Sequence, residues 1–119
     1  MQKELDKIRK RRRRKMHIRK KLKCSPERPR VTIYKSNRYI YLQAIDDTKG
    51  ITLASISNLE KELRHIKNKV ESIGELGKIF AERLKNKNIN TIAFDRNGYP
   101  YHGIVKAVAE EIRKGGIDF

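Results

Sequence analysis

The chain has 119 residues, 37% hydrophobic and 37% charged, which suffices for one domain with a modest core. Thirty Lys and Arg against fourteen Asp and Glu leave a net charge of +16, a surplus that destabilises a compact chain by self-repulsion unless a polyanion lies against it. A small acidic metabolite would not need so much charge, no run approaches the roughly 18 apolar residues of a membrane span, and the amino-terminus is too basic for a signal peptide. The single cysteine, Cys24, leaves no intramolecular disulfide and suits a cytoplasmic protein.

The charge is concentrated at the start. The first thirty residues hold fifteen Lys and Arg against Glu4, Asp6 and Glu27, so they carry +12 and the rest of the chain +4. Arg9 to Lys15 is an unbroken run of seven cations, and at about 100° per residue such a run covers every side of a helix. An interfacial membrane helix keeps one face apolar, and Leu5, Ile8, Ile18 and Leu22 are too sparse to supply one. The segment is therefore expected to be at most partly helical alone and to order as a positive rod among phosphates. A solubilising tail or localisation patch is the plainer alternative. Pro26 and Pro29 disfavour helix in the residues before them, which divides the chain into a basic extension, residues 1–27, and a globular domain, residues 28–119.

In that domain, residues 30–35 (RVTIYK) read as a strand with Val31 and Ile33 on one face and Thr32 and Tyr34 on the other. Ser36-Asn37 makes a tight turn, residues 38–45 a second strand, and 46–50 a turn into a third strand over 51–57. Leu63, Ile66, Val70, Ile73, Gly77, Phe80, Ala81 and Leu84 recur at helical spacing. That helix starts either at a capping box, Ser57 with Glu60, or near Asn68, because residues 59–68 are so charged. A short strand over 91–95 and a helix over 103–114 come next, ended by Gly115-Gly116. A helical crossover carries the fourth strand past the meander to pair in parallel with the first, so the expected fold is α/β, a four-stranded mixed sheet of order 3-2-1-4 with two packed helices.

This order places the 36–38 turn and the 95–103 loop at one sheet edge. All five tyrosines fall there, Tyr34, Tyr39 and Tyr41 around the hairpin and Tyr99 and Tyr101 in the loop, beside Lys35, Arg38, Arg96 and His102. Rings and guanidinium planes stack on unpaired bases while cations meet phosphates. Tyr39 and Tyr41 read equally well as cross-strand packing.

The runs ERPRVTIYKSNRYIYLQAIDD (27–47) and FDRNGYPYHG (94–103) and the terminal GGIDF resemble the bacterial large-subunit ribosomal protein eighteen family, over nearly the whole chain. The resemblance implies a ribonuclease H-like topology and binding to 5S rRNA. It further implies attachment of that RNA to 23S rRNA in the central protuberance, beside ribosomal protein five. It assigns RNA contact in the extension to Lys7, Arg9, Lys10, Arg11, Arg12, Arg13, Arg14, Lys15, His17, Arg19, Lys20, Lys21 and Lys23. In the domain it assigns Arg28, Arg30, Lys35, Ser36, Asn37, Arg38, Tyr39, Tyr41 and Gln43, then Arg96, Tyr99 and His102. Two positions depart from the family pattern: Ile104 stands where Arg is usual and Asn97 where Gly is common, with Lys106 the nearby cation able to replace the missing charge.

Enzyme chemistry is not expected. The 30–35 strand has no acid, and Asp95 with His102 has no carboxylate partner for a two-metal nuclease site. Asp95 is expected instead to accept hydrogen bonds from the loop backbone or to orient Arg96. His17, Cys24, His65 and His102 lack zinc-ligand spacing, and Gly74-x-x-Gly77 follows no strand, so it reads as a close helix-to-sheet contact rather than a phosphate loop. No metal, cofactor, membrane or small-molecule substrate is expected. The alternative to a ribosomal role is a general nucleic-acid compactor.

Overall fold

The computed structural model describes residues 7–14 and 28–119. Residues 7–14 form a helix, α1. The domain then runs β1 (Arg30–Lys35), β2 (Ile40–Asp46), β3 (Ile51–Ser57), a 3-10 turn (Lys61–Leu63), α2 (Val70–Asn86), β4 (Ala93–Asp95) and α3 (Ile104–Lys114). The sheet has the order β3-β2-β1-β4, with β1 antiparallel to β2 and parallel to β4.

Alternation along the strands makes this a two-layer structure. Val31 and Ile33 of β1, Ile40, Leu42 and Ala44 of β2 and Ile56 of β3 are buried on one face. They form a single core with Ile73, Leu76, Phe80 and Leu84 of α2 and Val105, Val108 and Ile112 of α3. Helical spacing of those apolar positions turns one stripe of each helix towards the sheet. Gly77 sets how close the helices come: a Cβ there would lie 2.7 Å from the Val108 carbonyl oxygen. The tight contact expected of Gly77 is therefore made with α3, not with the sheet.

Two strands differ in extent from the sequence reading, and the long helix starts near Asn68, the second of its two expected positions. β2 begins at Ile40 rather than Arg38, because the turn extends to Tyr39: Ser36 N donates to Tyr39 O at 2.9 Å and Tyr39 N to Ser36 Oγ at 3.2 Å. The apolar series from Leu63 to Leu84 spans two elements, since Leu63 and Ile66 are buried before α2 begins at Val70. The Ser57 and Glu60 pair does close a turn, with Ser57 N donating to a Glu60 carboxylate oxygen at 2.9 Å, but the helix it opens is a single 3-10 turn. Asn58 holds that chain reversal from inside. Its buried amide oxygen accepts from Ile40 N at 2.9 Å, and its amide nitrogen donates to Ile66 O at 3.0 Å. β4 is shorter than read, because Thr91 bridges Asp118 and Ile92 N donates to Asp118 O at 3.0 Å. The carboxy-terminal residues thus take up part of the outer hydrogen-bonding edge that β4 would leave open.

Candidate nucleic-acid interface

Both helices of the domain contribute to the core on one side of the sheet, which leaves the other side to the alternate residues of β1 and β2. Thr32 pairs with Gln43 and Tyr34 with Tyr41 across the antiparallel ladder. The two rings lie 5.9 Å apart between centroids, tilted by 46°, and Tyr34 is 50% exposed. With Thr32, Ser36 and Gln43 they line a shallow depression. Tyr41 is thus both things the sequence left open, a cross-strand packer and one half of an accessible aromatic platform. Tyr34, the more exposed half, is missing from the residues that the family resemblance assigned. Its place opposite Tyr41 was recoverable from strand alternation once the hairpin register was known.

The hairpin tip is cationic and polar. Ser36, Asn37 and Arg38 are exposed, and the Ser36 hydroxyl is occupied by Tyr39 backbone. Tyr39 lines a second hollow with Arg38, Asn58, Arg64, Lys67 and Lys69. Asn68 ties that segment to the tip by donating to Ser36 O at 3.2 Å. Arg64, Lys67 and Lys69 therefore add charge beside the hairpin, a contribution that sequence reading missed because it placed them at a helix start.

The expected neighbourhood of the hairpin and the 95–103 loop is present. Tyr99 is 8% exposed, inside the core, and its hydroxyl reaches the backbone of Lys35. Two cations lie over the ring, with the Arg11 guanidinium carbon 4.5 Å and Lys35 Nζ 5.3 Å from its centroid. Such contacts satisfy cation–π geometry. A buried ring with Arg11 and Lys35 against it offers no open face, so Tyr99 positions the loop rather than presenting a stacking surface. Gly98 makes the approach of α1 possible: its φ is +81° and a Cβ there would collide with the Arg11 carbonyl.

Asp95 is fully buried and fixes the loop from below. One oxygen accepts from Asn97 N at 2.9 Å, as expected for a loop-backbone acceptor, and the cation the carboxylate meets among the described residues is Arg30, at 2.8 Å, and not Arg96. Arg30 also bonds both carboxylate oxygens of Asp47, which holds the guanidinium charged more firmly than usual, chiefly through those Asp47 bonds. Arg30 is accordingly committed to internal pairing, although the resemblance assigned it to RNA. Asn97 takes φ +56°, a left-handed conformation that asparagine tolerates, so its replacement of glycine leaves the loop geometry intact. Ile104 packs against the core as the first residue of α3, while Lys106 is exposed and pairs with Glu110 at 4.0 Å.

Of the remaining assigned residues, Lys7, Arg9, Lys10, Arg12, Arg13 and Arg14 are exposed on α1, and Gln43 and His102 are exposed on the domain. Arg28 donates through Nε to Ile92 O at 3.1 Å, and Arg96 is half-buried. Lys15, His17, Arg19, Lys20, Lys21 and Lys23 lie outside the described residues.

Comparison of the sequence with known proteins finds extensive likeness. The model of the family described as ribosomal L18 of archaea, bacteria, mitochondria and chloroplast matches residues 5–119. The chain is 55% identical over 114 residues to the large ribosomal subunit protein uL18 of Treponema denticola, covering 96% of this chain and 95% of that one. It is 52% identical over 109 residues to the protein of the same name from Brachyspira hyodysenteriae, covering 92% of each. With the Borreliella burgdorferi protein of that name it shares 50% over 107 residues, 89% of each.

Proposed function

The chain belongs to the ribosomal L18 family, a structural constituent of the large ribosomal subunit and not an enzyme, and on that premise we propose that it binds 5S rRNA and attaches it to 23S rRNA in the central protuberance. Ribosomal protein five is the expected protein neighbour there.

The observation that carries this reading is the in-register Tyr34–Tyr41 pair on the open sheet face, with the cationic hairpin tip beside it. Rings stack on unpaired bases, while Arg38 and the 64–69 cations meet the backbone that leads into and out of them. The α1 cations supply salt-sensitive attraction without choosing among RNAs. Tyr99 and Asp95 act beneath this surface by holding the hairpin and the loop in fixed relation.

The test is binding of the full chain to 5S rRNA against a random-sequence RNA duplex of equal length at physiological salt. Preference for 5S rRNA by at least about tenfold is expected, with Tyr34→Ala and Tyr41→Ala narrowing the gap. Equal affinity for the two RNAs would overturn the reading in favour of a general compactor, which needs only the +16 charge.

A further inference from the structure

A second aromatic and basic site lies away from the tyrosine pair. Phe94 of β4 pairs with Val31, which belongs to the helix-covered side of the sheet, so Phe94 projects towards α3 rather than into the open face. Its ring stacks on Phe119, 5.6 Å between centroids and 29° between planes. The Arg113 guanidinium, from the last turn of α3, lies 4.4 Å from the Phe119 centroid. Together with Arg28, Arg96 and Tyr101 these residues line a pocket of about 400 Å³, within the roughly 300–1,000 Å³ of sites that hold small organic groups.

The charge in this pocket is unusual. Three guanidinium groups surround it and no aspartate or glutamate among the described residues lines it. Arg96 and Arg113 form no ion pair among the described residues, and Arg28 uses only its Nε, on a neutral carbonyl. Tyr101 at the rim is 39% exposed.

We propose that this pocket is a binding site for one unpaired nucleotide of ribosomal RNA. Tyr101 offers the exposed face on which the base stacks, the Phe94–Phe119 pair, already packed ring on ring, forms the apolar floor, and Arg28, Arg96 and Arg113 hold the flanking phosphates. An acidic peptide would satisfy the cations but would not use three aromatic rings, whereas a nucleotide uses both. Two guanidinium groups at positions matched to the family, Arg28 from the hairpin set and Arg96 from the loop set, then act together here. The proposal rests on the ribosomal reading of the chain and adds Phe94, Tyr101, Arg113 and Phe119 to its RNA surface.

The experiment places a photoreactive benzoylphenylalanine at position 101 of the full chain, assembles it into large subunits, and maps the crosslinks formed on irradiation. The expected result is a crosslink to an unpaired nucleotide of 5S or 23S rRNA, reduced at least about fivefold when Arg113→Gln is added. Crosslinking only to paired nucleotides, only to a ribosomal protein, or to nothing would overturn the proposal. Entry of the wild-type chain into subunits and its preference for 5S rRNA are scored separately. If those fail, the ribosomal reading is at fault; if they hold and position 101 meets no unpaired nucleotide, the pocket assignment alone is wrong.

Discussion

The hydroxyl oxygen of Tyr99 lies 3.3 Å from both the backbone nitrogen and the backbone oxygen of Lys35, joining two points 64 residues apart. It accepts from the Lys35 N–H and donates to the Lys35 carbonyl. Those groups sit where β1 runs into the hairpin, opposite Ile40, the first residue of β2. The loop after β4 therefore does not merely approach the hairpin; it completes the hydrogen bonding at the end of β1. Arg11 and Lys35 beside the same ring extend the joint to α1.

Removing only the hydroxyl tests this joint. Tyr99→Phe keeps the buried ring and leaves the two Lys35 groups to find water, so it is expected to cost about 1 kcal/mol, read as a lower urea midpoint with an unchanged m-value. Faster amide exchange at Lys35 should accompany it. Tyr99→Ala also removes the ring and should cost about 3–5 kcal/mol, as truncation of a buried aromatic does. Any loss of RNA binding by Tyr99→Ala then reports disorder of the interface and not a missing stacking partner.

The two glycines of α2 should respond in opposite ways to alanine. Gly77→Ala forces a Cβ against the backbone carbonyl of Val108, which cannot move without shifting α3, and should cost about 1–3 kcal/mol. At Gly74 the nearest atoms belong to the Glu111 side chain, which can turn away. Alanine is favoured over glycine in a helix by about 1 kcal/mol, so Gly74→Ala should be neutral or mildly stabilising. Thermal unfolding of the two variants side by side decides this, and equal destabilisation would mean that the α2–α3 approach is looser than described.

These cases show which features could be read from the sequence. Strand alternation fixed the faces of Val31, Ile33, Thr32 and Tyr34, and the crossover rule put β4 beside β1, because both depend on local periodicity and chain connectivity. Side-chain partnerships were less accessible. Arg30 and Arg96 are both near Asp95 in chemistry, and only the position of β1 against β4 decides that Arg30 makes the pair. Asn58 was invisible for the same reason: its amide satisfies Ile40 and Ile66, neither adjacent in sequence. Tyr99 looked like Tyr34, since tyrosine composition does not distinguish a ring inside the core from one on an open face.

Acid should weaken the tie between the 3-10 turn and α2. Hydrogen bonds from Arg83, and more weakly from Ser57 N, hold the Glu60 carboxyl below its ordinary value of 4.5. A lowered folded-state value means that the carboxylate contributes stability above about pH 4.5, a contribution that disappears as pH falls through the folded value. The pair is half-exposed, so solvent screening limits the effect to about 0.5 kcal/mol. Glu60→Gln should therefore be less stable than wild type near pH 6 and converge with it near pH 3, measured by urea denaturation at each pH. A constant difference across that range would assign the contribution to shape and not to charge.

Salt should separate attraction from recognition. Arg12, Arg13 and Arg14 are exposed on α1 and cover different sides of it, so they can meet phosphates on more than one RNA strand. Replacing all three by glutamine should lower the slope of log affinity against log salt by about 0.7 to 0.9 for each phosphate no longer neutralised. Because a phosphate contact carries no sequence information, affinity for 5S rRNA and for a random duplex should fall together. Tyr34→Ala with Tyr41→Ala should do the reverse: 5S rRNA binding weakens by about 1–3 kcal/mol per unstacked base, with the salt slope unchanged. A steep slope change in the tyrosine variant, or a selective loss for 5S rRNA in the arginine variant, would mean that the two surfaces do not divide the work in this way.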